Sequence, residues 1–343
     1  MLTSKEIIKQ IQIGNIEVTN LKENALRKPN SCIVSISDCL YTFDCQVVDT
    51  KNGSRYLNGI FADTDQNLKK VKIPTSGLLL EPRKLYIAKT NEKIKTNGYV
   101  PVLNGKASLS LLGLSIELNS GYLEDGYDGN LLLCLICTKP IIIYPNIEIG
   151  NLTFFDSLSS IDKNVGMISG EEIKRRMEIG DIVVTPQDNI VINPNSINLS
   201  LNKTIGYYTE PILDLKKNNP IETIDILDNG MVLYPDEIYV AISNEWTETN
   251  SLIPMISGRS SLGRLGCHVH CSAGMGSIGY KGYWHMGIRT TIPIRVYRNM
   301  KCCQIYYFIP QGDIGCTYNG MMQHTCDDKL DGGYYKGLRR TFK

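Results

Sequence analysis

The chain has 343 residues, of which 42% are apolar and 21% charged, so it can bury a sizeable core and is not disordered by composition. Lysine plus arginine (36) nearly balances aspartate plus glutamate (35), which excludes an overall positive field that would hold nucleic acid or an anionic membrane surface. No apolar run approaches the ~20 residues that span a bilayer. We therefore expect a globular protein that binds neither nucleic acid nor membrane.

The first predicted element is an amphipathic helix that carries Ile7, Ile8 and Ile11 at helical spacing and ends at Gly14. Its charges are interspersed, unlike the basic and then continuously apolar pattern of a signal peptide. The chain also has eleven cysteines without the regular spacing of a disulfide framework. These features predict a cytoplasmic protein, either bacterial or encoded by a phage and acting in the host cytoplasm.

Short segments that alternate apolar and polar residues follow this helix and are separated by turn residues at short intervals. In the first half of the chain they are IEVT, SCIVSIS, LYIAKT, NLLLCLI and PIIIYP. A polar, serine-rich joint between Phe155 and Met167 leads to a second helix, which ends at Gly180, and then to IVVT, INLSLN, IYVAIS, YWHMGIR, PIRVYR and QIYYF. Series of this kind predict an all-β barrel or jelly roll.

The two halves repeat each other. Met1–Thr19 aligns with Met167–Thr185 without a gap, Gly77–Glu92 aligns with Gly230–Glu245, and PIIIYPN from Pro140 matches PIRVYRN from Pro293. Each copy has the length of a typical domain. We predict two tandem domains, residues 1–158 and 159–343, each with a short N-terminal helix.

The segment CHVHC, from Cys267 to Cys271, has the residue types of a zinc site. Alternation along a strand would place the two histidines on one face and the cysteines on the other. We therefore favour ordinary strand packing and predict no metal site.

The second copy contains ISGRSSLGRLG (256–266), HVHCSAG (268–274) and GYKGYW (279–284). These motifs resemble those of the dCTP deaminase branch of the dUTPase superfamily, and the resemblance covers nearly the whole second copy. The first copy carries a diverged version, NGKASLSLLGLS from Asn104 and SGYLEDGYDGN from Ser120. The resemblance implies mainly β, dUTPase-like domains (distorted jelly rolls or β-barrels), trimeric packing and nucleotide sites between units.

A triphosphate requires several charge-assisted hydrogen-bond donors, and an arginine fork beside hydroxyl groups supplies them. The resemblance implies that such a set in the second copy grips the phosphates: Arg259, Ser260, Ser261 and Arg264. A solvated turn is the alternative. The corresponding residues of the first copy are Lys106, Ala107, Ser108 and Leu111, so we expect weak phosphate binding there, or none.

Deamination requires a carboxylate that transfers protons between water and the leaving amine, and the family places a glutamate on the strand after the GxxG turn. At that position this chain has Gly287 in the second copy and Cys134 in the first. His285 lies two residues before Gly287, on the same strand face, and is one candidate replacement base. A packed or ligand-contacting histidine is the alternative.

The dUTPase branch uses an aspartate to orient water for attack on the α-phosphate. The second copy has Ser277 at that position and the first has Glu124. Glu124 could act in a composite site with the arginine and serine set of the second copy, or it could be a solvated turn residue.

The C-terminal stretch DGGYYKGLRRTF combines glycines, tyrosines and cations, and family members often end in a tail that closes over the nucleotide. Candidate contacts are Tyr334, Tyr335, Lys336, Arg339 and Arg340. A frayed terminus is the alternative.

Our leading hypothesis is a nucleotide-binding protein that keeps the phosphate-binding set without the proton-transfer group, and that sequesters or senses a deoxynucleoside triphosphate or a signalling nucleotide. The alternatives are an active dCTP deaminase or dUTP diphosphatase that uses Glu124 or His285, and a structural scaffold. We expect no cofactor beyond Mg²⁺ that accompanies the phosphates. Two repeats do not close a three-fold ring, so we expect a homotrimer with six β domains, or another homo-oligomer.

Overall fold

The computed structural model describes residues 1–43, 68–117, 122–157, 166–269 and 273–318. The predicted fold class is confirmed: the described residues form two mainly β domains with barrel-like sheets, each beginning with a short helix. None of the helices found in these ranges is long and apolar enough to cross a membrane.

The first copy begins with helix α1 (Ser4–Ile13), for which the Thr3 hydroxyl accepts a hydrogen bond from the Glu6 amide at 3.3 Å. Gly14 ends this helix at φ 91°, a left-handed conformation that favours glycine, as predicted. The strands that follow are β1 (Ile16–Thr19), β2 (Cys32–Phe43), β3 (Leu68–Lys72), β4 (Leu78–Leu80), β5 (Tyr86–Thr96) and β6 (Tyr99–Gly105). After the short helix α2 (Ala107–Ser110) come β7 (Leu114–Glu117), β8 (Asp128–Cys137), β9 (Ile141–Ile143) and β10 (Glu148–Asp156).

The second copy begins with β11 (Gly166–Met167) and helix α3 (Gly170–Glu178), which Ser169 caps by accepting from the Glu172 amide at 3.2 Å. The next strands are β12 (Ile182–Thr185), β13 (Ile192–Asn193), β14 (Ser196–Tyr208), β15 (Leu213–Asp214), β16 (Ile221–Asp225), β17 (Met231–Leu233), β18 (Tyr239–Thr249) and β19 (Ile253–Gly258). Helix α4 (Ser260–Gly263) precedes β20 (Cys267–Val269), β21 (Lys281–Thr290), β22 (Ile294–Val296) and β23 (Lys301–Ile309).

The sequence repeat is also a structural repeat, because equivalent residues pair in the same register. Ile87 of β5 pairs with Cys134 of β8, and the equivalent residue Val240 of β18 pairs with Gly287 of β21. The main sheet of the first copy runs in the order β6-β10-β2-β5-β8-β7, and that of the second in the order β11-β23-β14-β18-β21-β20. The proposed equivalence of Cys134 and Gly287 therefore holds in three dimensions.

The two copies share an apolar interface. Strand β15 of the second copy adds in parallel to the small β4-β9 sheet of the first, with Leu213 opposite Ile141. The Tyr208 hydroxyl of the second copy donates to the Leu111 carbonyl of the first at 3.1 Å. Tyr208, Leu213 and Val240 are part of the first copy's hydrophobic cluster, so burial fixes one copy against the other.

Candidate functional site

The predicted phosphate-binding residues surround one turn of helix in the second copy. Leu262 anchors α4 with only 9% of its surface exposed, Arg259 precedes the helix, and Arg264 follows it. Ser260, Ser261 and Arg264 are exposed, and Arg259 is half-buried. The fold therefore presents all four predicted residues at one turn of the surface.

A lysine from another strand contacts this turn through its backbone. In the described part of the chain, neither Arg259 nor Arg264 forms an ion pair with a carboxylate. The Arg259 guanidinium donates through Nη1 to the Lys301 carbonyl at 3.3 Å, so Lys301 of β23 lies beside it. We therefore add Lys301 to the candidate site.

Glu245 holds Lys301 in place. Its Oε1 lies 3.5 Å from the Lys301 Nζ, and its carboxylate accepts from the Ser200 amide at 2.7 Å and the Ser200 hydroxyl at 2.5 Å. Glu245 is only 5% exposed, so these hydrogen bonds satisfy a buried charge. Glu92 makes the same pair of hydrogen bonds to Ser35 in the first copy, at 2.9 and 2.8 Å.

The equivalent turn of the first copy is organised around a carboxylate. Glu148, at the position of Lys301, accepts from the Lys106 Nζ at 2.7 Å and from Arg27 in a two-point contact at 3.0 and 2.7 Å. Burial alone would raise the pKa of Glu148, but the Arg27 hydrogen bonds and the Lys106 charge lower it below its ordinary value. Lys106, the counterpart of Arg259, is therefore already paired within the protein.

Gly287, which the sequence comparison predicts at the position of the family's glutamate, has no room for a side chain. A Cβ atom added to Gly287 would lie 2.9 Å from the Ser110 carbonyl oxygen of the first copy and 3.5 Å from Ile238 Cδ1. Contacts under 3.0 Å are essentially never found for a real Cβ atom. The two copies are therefore closely packed at this glycine.

The two candidate replacement bases lie in different surroundings. His285 is 7% exposed in the middle of β21, opposite Ile242. Glu124 is exposed in the turn before β8, whereas its neighbour Asp125 accepts hydrogen bonds from the Gly98 amide at 2.7 Å and the Ser157 hydroxyl at 2.6 Å. The Ser157 hydrogen bond lowers the pKa of Asp125. Among the described residues, no hydrogen bond or ion pair joins His285 or Glu124 to Arg259 or Arg264.

Sequence reasoning missed Lys301 and a second carboxylate, Glu117. Glu117 of β7 pairs directly with Cys134 of β8, so their side chains share one face of the sheet. A carboxylate therefore lies one strand away from Cys134, the predicted glutamate position of the first copy. The alignment of PNIEIGN with RNMKCCQ sets Glu148 against Lys301. This change of charge between the copies could have identified Lys301 from the sequence.

The tail candidates Tyr334, Tyr335, Lys336, Arg339 and Arg340 lie outside the described residues, as do His270 and Cys271. In the described ranges, no group of three or more potential metal ligands comes together.

Cys267 is buried in β20, and burial, together with the charge of Arg289, lowers the pKa of the neighbouring His268.

Comparison with known proteins agrees with this architecture. The family model described as "dCTP deaminase-like" matches residues 1–157 and 167–309, one match for each copy. The chain belongs to the dCTP deaminase-like family. The predicted membership of the dCTP deaminase and dUTPase superfamily is therefore confirmed.

Curated relatives in this family align with a single copy. A "dCTP deaminase, dUMP-forming" from Leptospira biflexa is 43% identical over 157 residues, which cover 46% of this chain and 90% of the relative. A protein of the same name from Clostridium beijerinckii is 42% identical over 158 residues, covering 46% and 91%.

A solved structure matches both copies together. The crystal structure of 2'-deoxycytidine 5'-triphosphate deaminase from Agrobacterium tumefaciens aligns with a TM-score of 0.72 and 15% identity, over 91% of this chain and 95% of that one. Because the identity is only 15%, this similarity supports the fold of the chain and nothing more.

Proposed function

We propose that this protein binds a nucleotide at the turn formed by Arg259, Ser260, Ser261 and Arg264, and that it retains the nucleotide without deaminating it. The observation that carries the proposal is that the second copy keeps the cations of the turn but has a glycine at residue 287. Arg259 and Arg264 form no ion pair with a carboxylate among the described residues, and Gly287, at the predicted position of the family's glutamate, leaves no room for a side chain. Such a protein sequesters or senses its ligand.

The cations define the chemical class of the ligand. Two arginines and a lysine beside two hydroxyl groups match a di- or triphosphate, whose oxygens accept charge-assisted hydrogen bonds. The relatives are named for dCTP and dUMP, which makes a pyrimidine deoxynucleotide the first ligand to test. Mg²⁺ would accompany the phosphates rather than occupy a site of its own. We place this activity in the cytoplasm, within a homo-oligomer, for which the resemblance favours three chains and six β domains.

The direct test is to incubate the full chain with dCTP, dUTP and other nucleotides, with and without Mg²⁺, and to measure retained ligand and released product by mass spectrometry. We expect retention without product, and loss of retention in Arg264→Ala. Arg175→Ala is the matched control, because Arg175 is exposed on α3 and pairs with Glu172, so its removal changes the net charge equally. Rapid multiple turnover by the wild type would contradict the proposal.

An active dCTP deaminase or dUTP diphosphatase is the second candidate. Its support is the name of the relatives and the presence of two carboxylates, Glu124 in an exposed turn and Glu117 opposite Cys134. Release of ammonia or diphosphate that is abolished in Glu124→Gln or Glu117→Gln would establish this candidate. His285→Asn tests the remaining base in the same assay. A chain that neither retains nor converts any nucleotide would instead be a structural scaffold.

A further inference from the structure

A cavity lies between the two copies, where strands β6 and β10 of the first copy meet strands β19 and β23 of the second. Its volume of about 380 Å³ is that of a small-molecule site. Equivalent residues of both copies contribute to its walls, among them Phe155 and Phe308, and Asn104 and Ser257. The turn around Arg259 contributes none of its four candidate residues, all of which are described. The cavity is therefore separate from the proposed nucleotide site.

Aromatic rings form part of the cavity wall. Phe155 of the first copy meets Phe308 of the second edge to face, with ring centroids 5.5 Å apart and an angle of 71° between the planes. Tyr306 lies beside Phe308, with centroids 6.0 Å apart. Burial raises the pKa of the Tyr306 hydroxyl, which therefore stays protonated and neutral. The wall thus offers apolar ring surface and an uncharged hydroxyl to a planar ligand.

Three carboxamides in the cavity wall lack strong hydrogen-bond partners. Asn195 Nδ2 donates to the Met167 sulfur at 3.1 Å. Asn104 Nδ2 donates to the Met275 sulfur at 4.0 Å, and a thioether is a weak acceptor in both cases. The Gln304 carboxamide, like the side-chain oxygens of Asn104 and Asn195, makes no hydrogen bond to any described residue. These polar groups are therefore available to a ligand.

The cavity wall has no acidic or basic side chain. All twelve described residues that line it are apolar or carry an amide or hydroxyl group. A phosphate, carboxylate or ammonium group would lose hydration there without gaining an ion pair. An uncharged ligand loses much less hydration, and amide groups in such a ligand would pair with the carboxamides of the wall. The composition of the wall therefore selects an uncharged ligand that carries amide groups.

We infer that this cavity binds an uncharged planar heterocycle whose ring carries both N–H and carbonyl groups, which is the chemistry of a free nucleobase or nucleoside. Each of the three carboxamides supplies a donor and an acceptor for such a ring, and the aromatic residues pack against it. The inference does not depend on the proposed function, because the cavity has none of the cations that define the nucleotide site. Binding here would bridge the two copies of the chain.

The experiment is isothermal titration calorimetry of the full chain with uracil, 2'-deoxyuridine and dUMP. It is performed on the wild type and on Arg264→Ala, in which binding at the turn is weakened. We expect deoxyuridine to bind both proteins equally, with a Kd below about 1 mM for a ligand of this size. In Arg264→Ala, dUMP should bind no more tightly than deoxyuridine, because the cavity offers its phosphate no cation. Deoxyuridine binding that disappears in Arg264→Ala would place the ligand at the turn and overturn the inference.

Substitutions in the wall locate the ligand. Gln304→Met and Asn195→Leu keep the bulk of the side chain but remove its amide, so deoxyuridine affinity should fall about three- to tenfold in each. Ser257→Met extends a side chain into the cavity and should abolish binding. Gln187→Met is the matched control, because Gln187 is an exposed amide outside the cavity.

The thermal midpoint verifies that each variant is folded. Wild-type protein that binds neither uracil nor deoxyuridine at millimolar concentration would overturn the inference. An affinity that is unchanged in both Gln304→Met and Ser257→Met would overturn it as well.

Discussion

Glu148 and Lys301 occupy equivalent positions in the two copies and carry opposite charges. Glu148 pairs in register with Ser35 and Lys301 with Ser200, each at the same point of an equivalent sheet. The carboxylate of Glu148 binds Lys106, whereas Lys301 lies beside Arg259 and adds to its charge. In the first copy the turn's lysine, Lys106, is thus paired with a carboxylate, whereas in the second copy Arg259 forms no ion pair among the described residues and Lys301 pairs with Glu245.

Lys301→Glu should therefore give the second copy the electrostatics of the first. The new carboxylate would pair with Arg259, and we expect nucleotide affinity to fall by about tenfold or more, ~1.4 kcal/mol or more in binding free energy. Equilibrium dialysis with labelled nucleotide measures the effect. Lys301→Gln removes the charge without adding an acid and should weaken binding less. Equal affinities for the two variants would show that Lys301 does not act through its charge.

Gly287→Glu places a carboxylate at the predicted position of the family's glutamate, and we expect this substitution to destabilise the chain rather than to give it deaminase activity. Since a Cβ atom at this position meets the Ser110 carbonyl oxygen at 2.9 Å, the two copies must move apart. We expect a loss of about 2–4 kcal/mol in the free energy of unfolding, from overpacking and from a charge placed in a packed interface. Gly287→Ala should lose about 1–3 kcal/mol. Unfolding in urea measures both, and a fully stable Gly287→Glu variant would contradict the close packing seen here.

Glu245→Gln and Glu92→Gln form a matched pair. Both glutamates bind a serine amide and hydroxyl in a buried site, so each substitution should cost about 1–3 kcal/mol in unfolding free energy. Only Glu245 also contacts a lysine of the candidate site, so only Glu245→Gln should alter nucleotide retention. Thermal unfolding and dialysis on both variants provide the comparison. Equal effects on retention would mean that Glu245 acts through stability alone.

Lys28 predicts a dependence of stability on pH. Burial, together with the charges of Lys106 and Arg27, lowers the pKa of Lys28 from 10.5 to about 8. Between these values the unfolded chain holds a proton that the folded chain has released, so this group makes the unfolding free energy rise with pH from about 8 to 10.5. At pH 7 the folded protein retains an ammonium group whose partial burial is unfavourable.

Lys28→Met should therefore stabilise the protein at pH 7, on the order of 1 kcal/mol after allowance for partial exposure, with a smaller gain at pH 9.5. Urea unfolding at the two pH values measures the difference. Lys203→Met is the control, because Lys203 is exposed and forms no ion pair within the described part of the chain. A gain that is the same at both pH values would reflect packing and not the charge of Lys28.

Several features of this protein could be read from the chain alone. These features are the repeat, the alternating strands and the helix ends at Gly14 and Gly180. They depend on residue spacing and on backbone preferences, both of which are properties of short segments. The GRSSLGRLG motif identified the family because its residues are contiguous in the sequence and can be recognised without a structure. The prediction that residue 287 stands where the family has a glutamate came likewise from the chain alone, by comparison of GYWHMG with the family's pattern.

What only the tertiary structure decided is which faces meet. Leu112 and Leu265 occupy equivalent positions of the repeat, yet Leu112 is buried and Leu265 is exposed, because the second copy packs against the first copy at that face. The contact of Ser110 with Gly287 and the approach of Lys301 to Arg259 join residues far apart in sequence. Local patterns determine how each domain folds, but the match of two folded surfaces determines which charges are paired and which remain for a ligand.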